Sequence, residues 1–553
     1  MRGYIIKATL GFGLIALLAY LIGNTTPYPE MRNLPLYTLS TVLRILITLV
    51  LSLAWAIPFG ILAATNRYAS MIVTPVVDLL QSIPILGYFP LVIGFLFAMG
   101  PLGIELSVIM LLFTSMAWAI FFGVIGAVKS IPTNVIEASR GFGLSGWAYV
   151  RHVILPAIAP ATVAGANLAW SDGWFFMIAA EYINYKETIV TPTTGGVGVL
   201  LARAAYFYQD MNLALELLAF VTVLVIVINS LTWHRLMERA STGTYKPILR
   251  LGLSGVGILG TRDNTVFSLR RVHVPKSFSA IWQRLRKYSR TERLIATGIF
   301  TMLLVLVLYG ELEHLPSVET IVAGFNSPPS EDLSSIPLYV VFTLARLALA
   351  YGVSLAVAIG LGVVAAENKK AAAIIYPIYD IGQGVPILAL FPVLYLGITP
   401  LVGSERLALE ITCIIMLVLD MIWYMFINVT SAVKNIPTEI NEVGRLFGFK
   451  GLKRVTHIVI PSILPAIVTG SILSWGTGWN TIIFAEYLQA TKPGVPDVWI
   501  PGLGSLLDKA GYIYGNTVFL VFILVIIAAI VLSMEALVWR RLIRRFERYK
   551  VEV

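Results

Sequence analysis

Long apolar runs separated by short polar stretches dominate the chain. Runs near 5–22, 38–64, 71–98, 104–128, 153–183 and 213–235 are followed, after a polar interval, by a second set near 294–310, 338–366, 372–398, 405–433, 458–488 and 516–538. Runs of this length cross about 30 Å of hydrocarbon as helices. The pattern predicts an all-α membrane protein of about twelve transmembrane helices, in two tandem sets of six. Pro58, Pro84, Pro90 and Pro392 interrupt the runs. Tilted or broken helices are expected there, with freed backbone groups satisfied by neighbouring helices.

Composition agrees with this pattern. Of 553 residues, 58% are hydrophobic and only 13% charged, with mean hydropathy +0.83; a water-soluble chain carries roughly a quarter charged residues. The single Cys413 lies in an apolar run, which excludes disulfide scaffolds and cysteine metal sites, and no metal site is expected. The first run follows Arg2 and Lys7 as in a signal peptide, but leads into Gly-Asn-Thr-Thr-Pro rather than a small-x-small cleavage site, and is read as a retained span.

The net charge of +10 matters less than where the charges fall. Arg235, Arg239, Lys246, Arg250, Arg262, Arg270, Arg271, Lys276, Arg284, Arg286, Lys287, Arg290 and Arg293 crowd the polar interval between the sets, against Glu238, Asp263 and Glu292. The C-terminal segment adds Arg540, Arg541, Arg544, Arg545, Arg548 and Lys550, while outside candidates such as 98–105 have few basic residues. Under the positive-inside rule, both termini, the interval and the loops at 131–156 and 436–461 are cytoplasmic in a multi-pass protein of the plasma or inner membrane. Beside a membrane exit, such a basic interval is a tether near anionic headgroups rather than a nucleic-acid site; no nucleic-acid partner is expected.

The two sets repeat each other. Thr41-Val-Leu-Arg44 faces Thr343-Leu-Ala-Arg346, and Pro75, Asp78, Gln81 and Pro84-Ile-Leu face Pro377, Asp380, Gln383 and Pro386-Ile-Leu. After a three-residue slip, Glu105, His152, Pro156, Trp170, Trp174 and Glu181-Tyr182 face Glu410, His457, Pro461, Trp475, Trp479 and Glu486-Tyr487. Six spans restore the starting side, so the repeats are parallel and a path should lie between them. The expected division is a first repeat at 1–237, a linker at 238–293 and a second repeat at 294–553.

Each repeat contains one polar loop of the same pattern. It opens with Ile-Pro-Thr, places Glu137 or Glu442 five residues after the Pro, and Gly143 or Gly448 six beyond the Glu. Pro and Thr begin a short amphipathic helix, the Gly permits a turn, and a second short helix leads to Pro156 or Pro461. Such a two-helix elbow serves either as a docking knob or as a helix lying on the membrane; its recurrence with the same spacing favours docking.

Glu137-Ala138-Ser139 with Gly143 and the Val153-Ile-Leu-Pro156 ending resemble the Glu-Ala-Ala loop of binding-protein-dependent ABC importer permeases. Trp170 to Glu181-Tyr-Ile and Trp475 to Glu486-Tyr-Leu, with Gln81-Ser-Ile-Pro and Gln383-Gly-Val-Pro, look most like the branch for nitrate, sulfonate, taurine or bicarbonate. The resemblance covers nearly all of each half outside the first span and the linker. It implies two fused type I permease repeats, in which Glu137, Ala138, Gly143, Pro156, Glu442, Gly448 and Pro461 contact two ABC ATPase subunits. It also implies an extracytoplasmic solute-binding protein and a small-molecule solute, a small anion of the kinds just named. The second loop departs from the pattern with Val443-Gly444 after Glu442, so its contact is expected to be similar but not identical. The chain contains no G-x-x-x-x-G-K-S/T phosphate cradle, so ATP and Mg would be bound by the ATPase partner and the chain carries no cofactor.

Polar residues at membrane depth are costly and mark ion pairs or a path. Arg44 and Arg346 attract an anion, or pair with Glu105 and Glu410; the pairing carries more weight. Asp78, Gln81, Asp380 and Gln383 precede helix-breaking prolines, and Asp172 has Thr477 opposite it. Trp170 with Trp174, and Trp475 with Trp479, fall four apart on one helical face, for packing or for lining the path. The alternative is a secondary transporter or channel built from parallel repeats, which gives no reason for two elbows. An enzyme is disfavoured: His152, His234, His273, His314 and His457 are scattered and no HExxH occurs.

Overall fold

The computed structural model describes residues 2–66, 68–70, 84–96, 99–185, 188–233, 235–237, 330–488 and 498–539, with 73, 77, 80, 81, 541, 542 and 545 singly. The expected linker, the expected span at 294–310, Asp78 and the side chain of Asp380 lie outside the described residues. In the first set the helices are α1 (Arg2–Thr25), α2 (Leu34–Thr65), α3 (Ile85–Leu96), α4 (Pro101–Lys129), α5 (Thr133–Gly141), α6 (Leu155–Glu181), α7 (Val197–Ala202) and α8 (Met211–Leu231). The second set holds α9 (Ser330–Glu367), α10 (Lys369–Gly384), α11 (Ile387–Val402), α12 (Glu405–Lys434), α13 (Thr438–Leu446), α14 (Ile460–Ala485), α15 (Leu503–Asp508) and α16 (Thr517–Met534).

Among the described residues, eight helices are long and apolar enough to cross a membrane, and one bent pair brings the count to nine. Exposed apolar side chains such as Leu36, Leu39, Leu43, Leu46, Val50 and Leu349 stud the outer faces of these helices, a surface that hydrocarbon suits and water does not. The chain is a multi-pass all-α membrane protein. Its only strands among the described residues form two short antiparallel ladders, Ile183–Tyr185 with Thr188–Val190 and Tyr487–Leu488 with Val498–Trp499. Each follows directly on the helix ending near Glu181 or Glu486.

The expected proline breaks are met in part. Pro58 and Pro392 sit inside continuous helices, whereas the run at 372–398 breaks by 94° between α10 and α11, at the proline that follows Gln383. Val385 and Pro386 are extended there. Pro disfavours the α conformation in the residue before it, and Val385 adopts the extended alternative. In the first set, the backbone N–H of Ile85, freed at the start of α3, donates to Asn480 Oδ1 of α14 at 2.9 Å. The second set thus satisfies a backbone group of the first, as a span in hydrocarbon requires.

The two sets interlock through these broken helices. Within each set, α2, α4 and α6, or α9, α12 and α14, form a packed bundle. The helix α3 packs on α4 of its own set and reaches across to α14, α15 and α16, and α11 packs on α12 and reaches reciprocally to α6, α7 and α8. One continuous apolar core, from Ile15 to Trp539, crosses the boundary between the sets.

At the end of the bundle opposite the elbows, each set closes on a buried ionic cluster. Arg44 Nε and Nη2 donate to Glu105 at 2.9 and 3.0 Å, and Arg44 Nη1 donates to Glu181 at 2.7 Å. Thr41 Oγ1 and the Gly198 N–H donate to Glu181 as well, at 2.7 and 2.9 Å. The second set repeats this with Arg346 on Glu410 and Glu486, each at 2.9 Å, and with Thr343 and the Gly504 N–H on Glu486 at 2.8 and 2.7 Å. The hydrogen-bond partners of the buried Glu181 and Glu486 are an arginine, a threonine hydroxyl and a backbone N–H, so each carboxyl stitches three helices to the start of α7 or α15. The fit is close: a Cβ on Gly196 or Gly502 would lie 2.1 or 2.2 Å from a carboxylate atom of Glu181 or Glu486. A second repeated pairing lies nearby, Arg203 with Tyr208 on Glu30 and Lys509 with Tyr514 on Asp332.

Removing one partner of a buried pair strands the other charge, at about 3–5 kcal/mol. Arg44→Met and Gly502→Ala are therefore each expected to lower the unfolding temperature of the detergent-solubilised chain. Adding Glu181→Gln to Arg44→Met should recover part of the loss. Unchanged melting in both single variants would refute the assignment of the clusters as the structural lock.

Candidate functional site

Each elbow is built the same way from its backbone. The helix α5 starts after extended Pro132 and ends at Gly141. The Gly143 N–H donates to Arg140 O at 2.9 Å and the Leu144 N–H to Ser139 O at 3.0 Å, with Gly143 at φ +73°. This is a Schellman cap, which needs a residue in the left-handed region at that position. Gly448, at φ +69°, ends α13 similarly, with the Phe449 N–H on Gly444 O at 2.9 Å. A second pair of positive-φ glycines, Gly146 and Gly451, turns each chain into the short helix that follows. Both chains then pass through one π-helical turn, Val150–Ile154 or Val455–Val459, before entering α6 or α14. His152 and His457 direct Nδ1 to the carbonyls of Ala148 and Lys453, at 2.9 and 3.0 Å.

Glu137, Ala138, Gly143 and Pro156 are exposed on the first elbow, as are Glu442 and Gly448 on the second; Pro461 is half-buried. Neither Glu137 nor Glu442 forms an ion pair among the described residues. Large apolar side chains stand out beside them: Phe142 is 69% exposed, Phe447 75% and Leu446 86%. A capped helix presenting an unpaired carboxylate beside bare aromatic groups offers a rigid docking face.

The departure at Val443-Gly444 has a packing cause. Gly444 is buried, and a Cβ there would lie 1.8 Å from Ile458 Cδ1. In the first elbow a 305-residue offset puts Ser139 and Val153 at these two positions, a larger residue paired with a smaller one. The second elbow is also tied to the end of α9 by Arg454 on Glu367 at 2.6 Å, where the first has Tyr149 and Thr65 at the positions the two repeat offsets assign.

Between the sets lies a cavity of about 70 Å³, small beside the 300–1,000 Å³ of ordinary ligand pockets. Its wall includes Asp172 and Trp174 of α6, Tyr379 and Gln383 of α10, and Asp420, Trp423 and Tyr424 of α12. Asp172 and Asp420 stand nine and ten residues along their helices from Glu181 and Glu410, about 14 and 15 Å of helical rise from the ionic clusters.

Of the residues expected on the path, Asp172, Trp174 and Gln383 line this cavity. Gln81 is exposed. Arg44 and Arg346 are engaged in the ionic clusters, not on the cavity wall, because each finds two carboxylates within its own set. Trp170 packs on Trp233 at 6.2 Å, and Trp475 on Trp539 at 6.1 Å; they and Trp479 are buried away from the cavity wall. Asp420, Tyr379, Trp423 and Tyr424 were not singled out from sequence. Asp420 was detectable there: it is an acid within the apolar run at 405–433, the criterion that marked Asp172.

The model of the family described as binding-protein-dependent transport system inner membrane component matches the chain twice, over residues 56–239 and 358–547. The chain belongs to that family. Each match contains one elbow, the two glutamates of one ionic cluster and one side of the cavity. Similar curated proteins include an ABC transporter permease protein of Methanocaldococcus jannaschii, 27% identical over 35% of this chain and 67% of its own length. The taurine transport system permease protein of Escherichia coli is 27% identical over 30% of this chain and 55% of its own length. The bicarbonate transport system permease protein of Synechococcus elongatus is 25% identical, over 28% and 52%. The chain thus spans about half to two thirds of the length of these relatives.

If Gly444 is small because Ile458 needs the space, Gly444→Ser alone should loosen the second elbow. It is expected to increase limited proteolysis within 436–461, and adding Ile458→Val should restore protection. Equal cleavage in the single and double variants would refute the size pairing.

Proposed function

We propose that the chain is the permease component of an ATP-binding cassette importer, with both permease halves in one polypeptide divided near 1–237, 238–293 and 294–553. The observation that carries this reading is the pair of glycine-capped elbows, one in each family match, each exposing a glutamate without an ion pair beside bare apolar side chains. Glu137, Ala138, Gly143 and Pro156 dock one ABC ATPase subunit, and Glu442, Gly448 and Pro461 dock the other. The subunits bind ATP and Mg, since the chain has no phosphate cradle of its own.

The basic residues between the sets support a cytoplasmic position for the elbows, both termini and the linker. A solute-binding protein delivers solute to the opposite face, where the ionic clusters hold the two sets. Closure of the ATPase pair draws the elbows together and rocks one set against the other, opening the cavity at the boundary to alternate sides. The relatives named for taurine and bicarbonate support a small anionic or zwitterionic solute.

The test is co-purification of the full chain with its ATPase subunits. Glu137→Ala with Glu442→Ala is expected to abolish association, and each single variant to weaken it unequally, because the two elbows are packed differently. ATP-independent solute uptake by liposomes containing the chain alone would overturn the reading in favour of a secondary transporter.

A further inference from the structure

The chain handles its buried acids in two distinct ways. Glu181 and Glu486 sit among donors: an arginine, a threonine hydroxyl and a backbone N–H each. Asp172 and Asp420 have no arginine. Asp420, 3% exposed, receives the Thr481 hydroxyl at 2.8 Å and is also hydrogen-bonded by Thr477, and among the described residues no donor is seen on Asp172. The two acids come from different sets and line one cavity, whose wall includes no Lys, Arg or His among the described residues. Charged groups at membrane depth without a counter-charge are costly, and these two are not laid down by the repeat. At the 305-residue offset, Asp172 corresponds to Thr477 and Asp420 to Ser115.

The rest of the wall has matching chemistry. Tyr379, Trp423, Tyr424 and Trp174 surround the two carboxylates, and aromatic rings attract a cation most strongly where water is excluded. Trp174, 1% exposed, has its indole N–H without a partner, and the Trp423 N–H is likewise unpartnered. The cavity therefore supplies negative charge and π-faces for a cation. A plain oxyanion would meet two carboxylates with no counter-charge.

We propose that the solute carried along this path bears a cationic nitrogen, recognised by Asp172 and Asp420. The inference rests on the permease reading and departs from its small-anion solute, assigning amines and amine-bearing zwitterions and setting apart bicarbonate, nitrate and simple sulfonates.

The test is titration of the purified full chain in nanodiscs, read by tryptophan fluorescence, with ethylammonium, taurine, ethanesulfonate and bicarbonate as probes. A saturable response to ethylammonium, to taurine or to both is expected, and none to ethanesulfonate or bicarbonate. A response to taurine alone assigns a zwitterion; a response to ethylammonium assigns the amine itself as sufficient. Asp172→Asn and Asp420→Asn should each weaken the amine response at least about tenfold, the loss of a charge-assisted contact. Asp172→Thr, which copies the residue at the equivalent position of the other set, should act alike and serves as the folding control. A saturable response to ethanesulfonate or bicarbonate, no response to either amine, or an amine response undiminished in the Asp variants would overturn the proposal. The elbow test is independent of this one. Failed ATPase association with intact amine binding refutes the permease reading alone, and the converse refutes the solute inference alone.

Discussion

The structure depends on the pairing of one arginine with two glutamates, made once in each half. Arg44 and Arg346 each join two glutamates from two further helices, and the more deeply buried glutamate also accepts from a threonine and from the first turn of a short helix. Desolvating three charges is expensive, and the cost is offset only when the geometry satisfies all of them together. That requirement fixes the relative height of α2, α4 and α6, and of α9, α12 and α14. It also locates the ladders and short helices that follow Glu181 and Glu486. Because α4 spans about 36 Å of helical rise from Glu105 to Lys129, a rigid lock at one end transmits any movement of the elbow at the other.

Against these two rigid bundles, the broken helices are what join the halves. The helix α3 packs on its own half and on the second half at once, and α11 is its reciprocal. The bridging makes the boundary between the halves a surface of interlocked helices, and the break at Pro386 leaves irregular backbone there. In hydrocarbon, irregular backbone is tolerated where protein or a cavity satisfies it. Asn480 does so for Ile85, and on the other side the break opens onto the cavity lined by Gln383 and Asp420.

Fusion of the halves gives this arrangement a freedom that two identical subunits lack. A substitution in a symmetric pair appears twice, so two acids facing one narrow cavity would become four. Here Asp172 and Asp420 are each matched by a hydroxyl residue in the other half, and the elbows have diverged through a compensating exchange of Ser139 and Val153 for Gly444 and Ile458. The cavity and the elbows are two-fold in backbone and one-fold in chemistry.

The sequence by itself determined the membrane class, the internal duplication and the elbows with their capping glycines. Those features are local: apolar length, a constant offset and a glycine where φ must be positive can be read without knowing what packs on what. It also pointed to the partners of Arg44 and Arg346 in Glu105 and Glu410, because both repeats carry the same pair. Only the tertiary structure brought Glu181 and Glu486 into those clusters, kept Pro58 and Pro392 inside continuous helices, and set α3 and α11 across the boundary between the halves. Only it placed Asp420 opposite Asp172 while drawing Trp170, Trp475 and Trp479 into the core. The reason is that an apolar run carries the same signal whether a residue faces lipid, a neighbouring helix or a cavity. Which of these it faces is decided by how the two halves pack, and a polar residue acquires its role only from what that packing sets beside it.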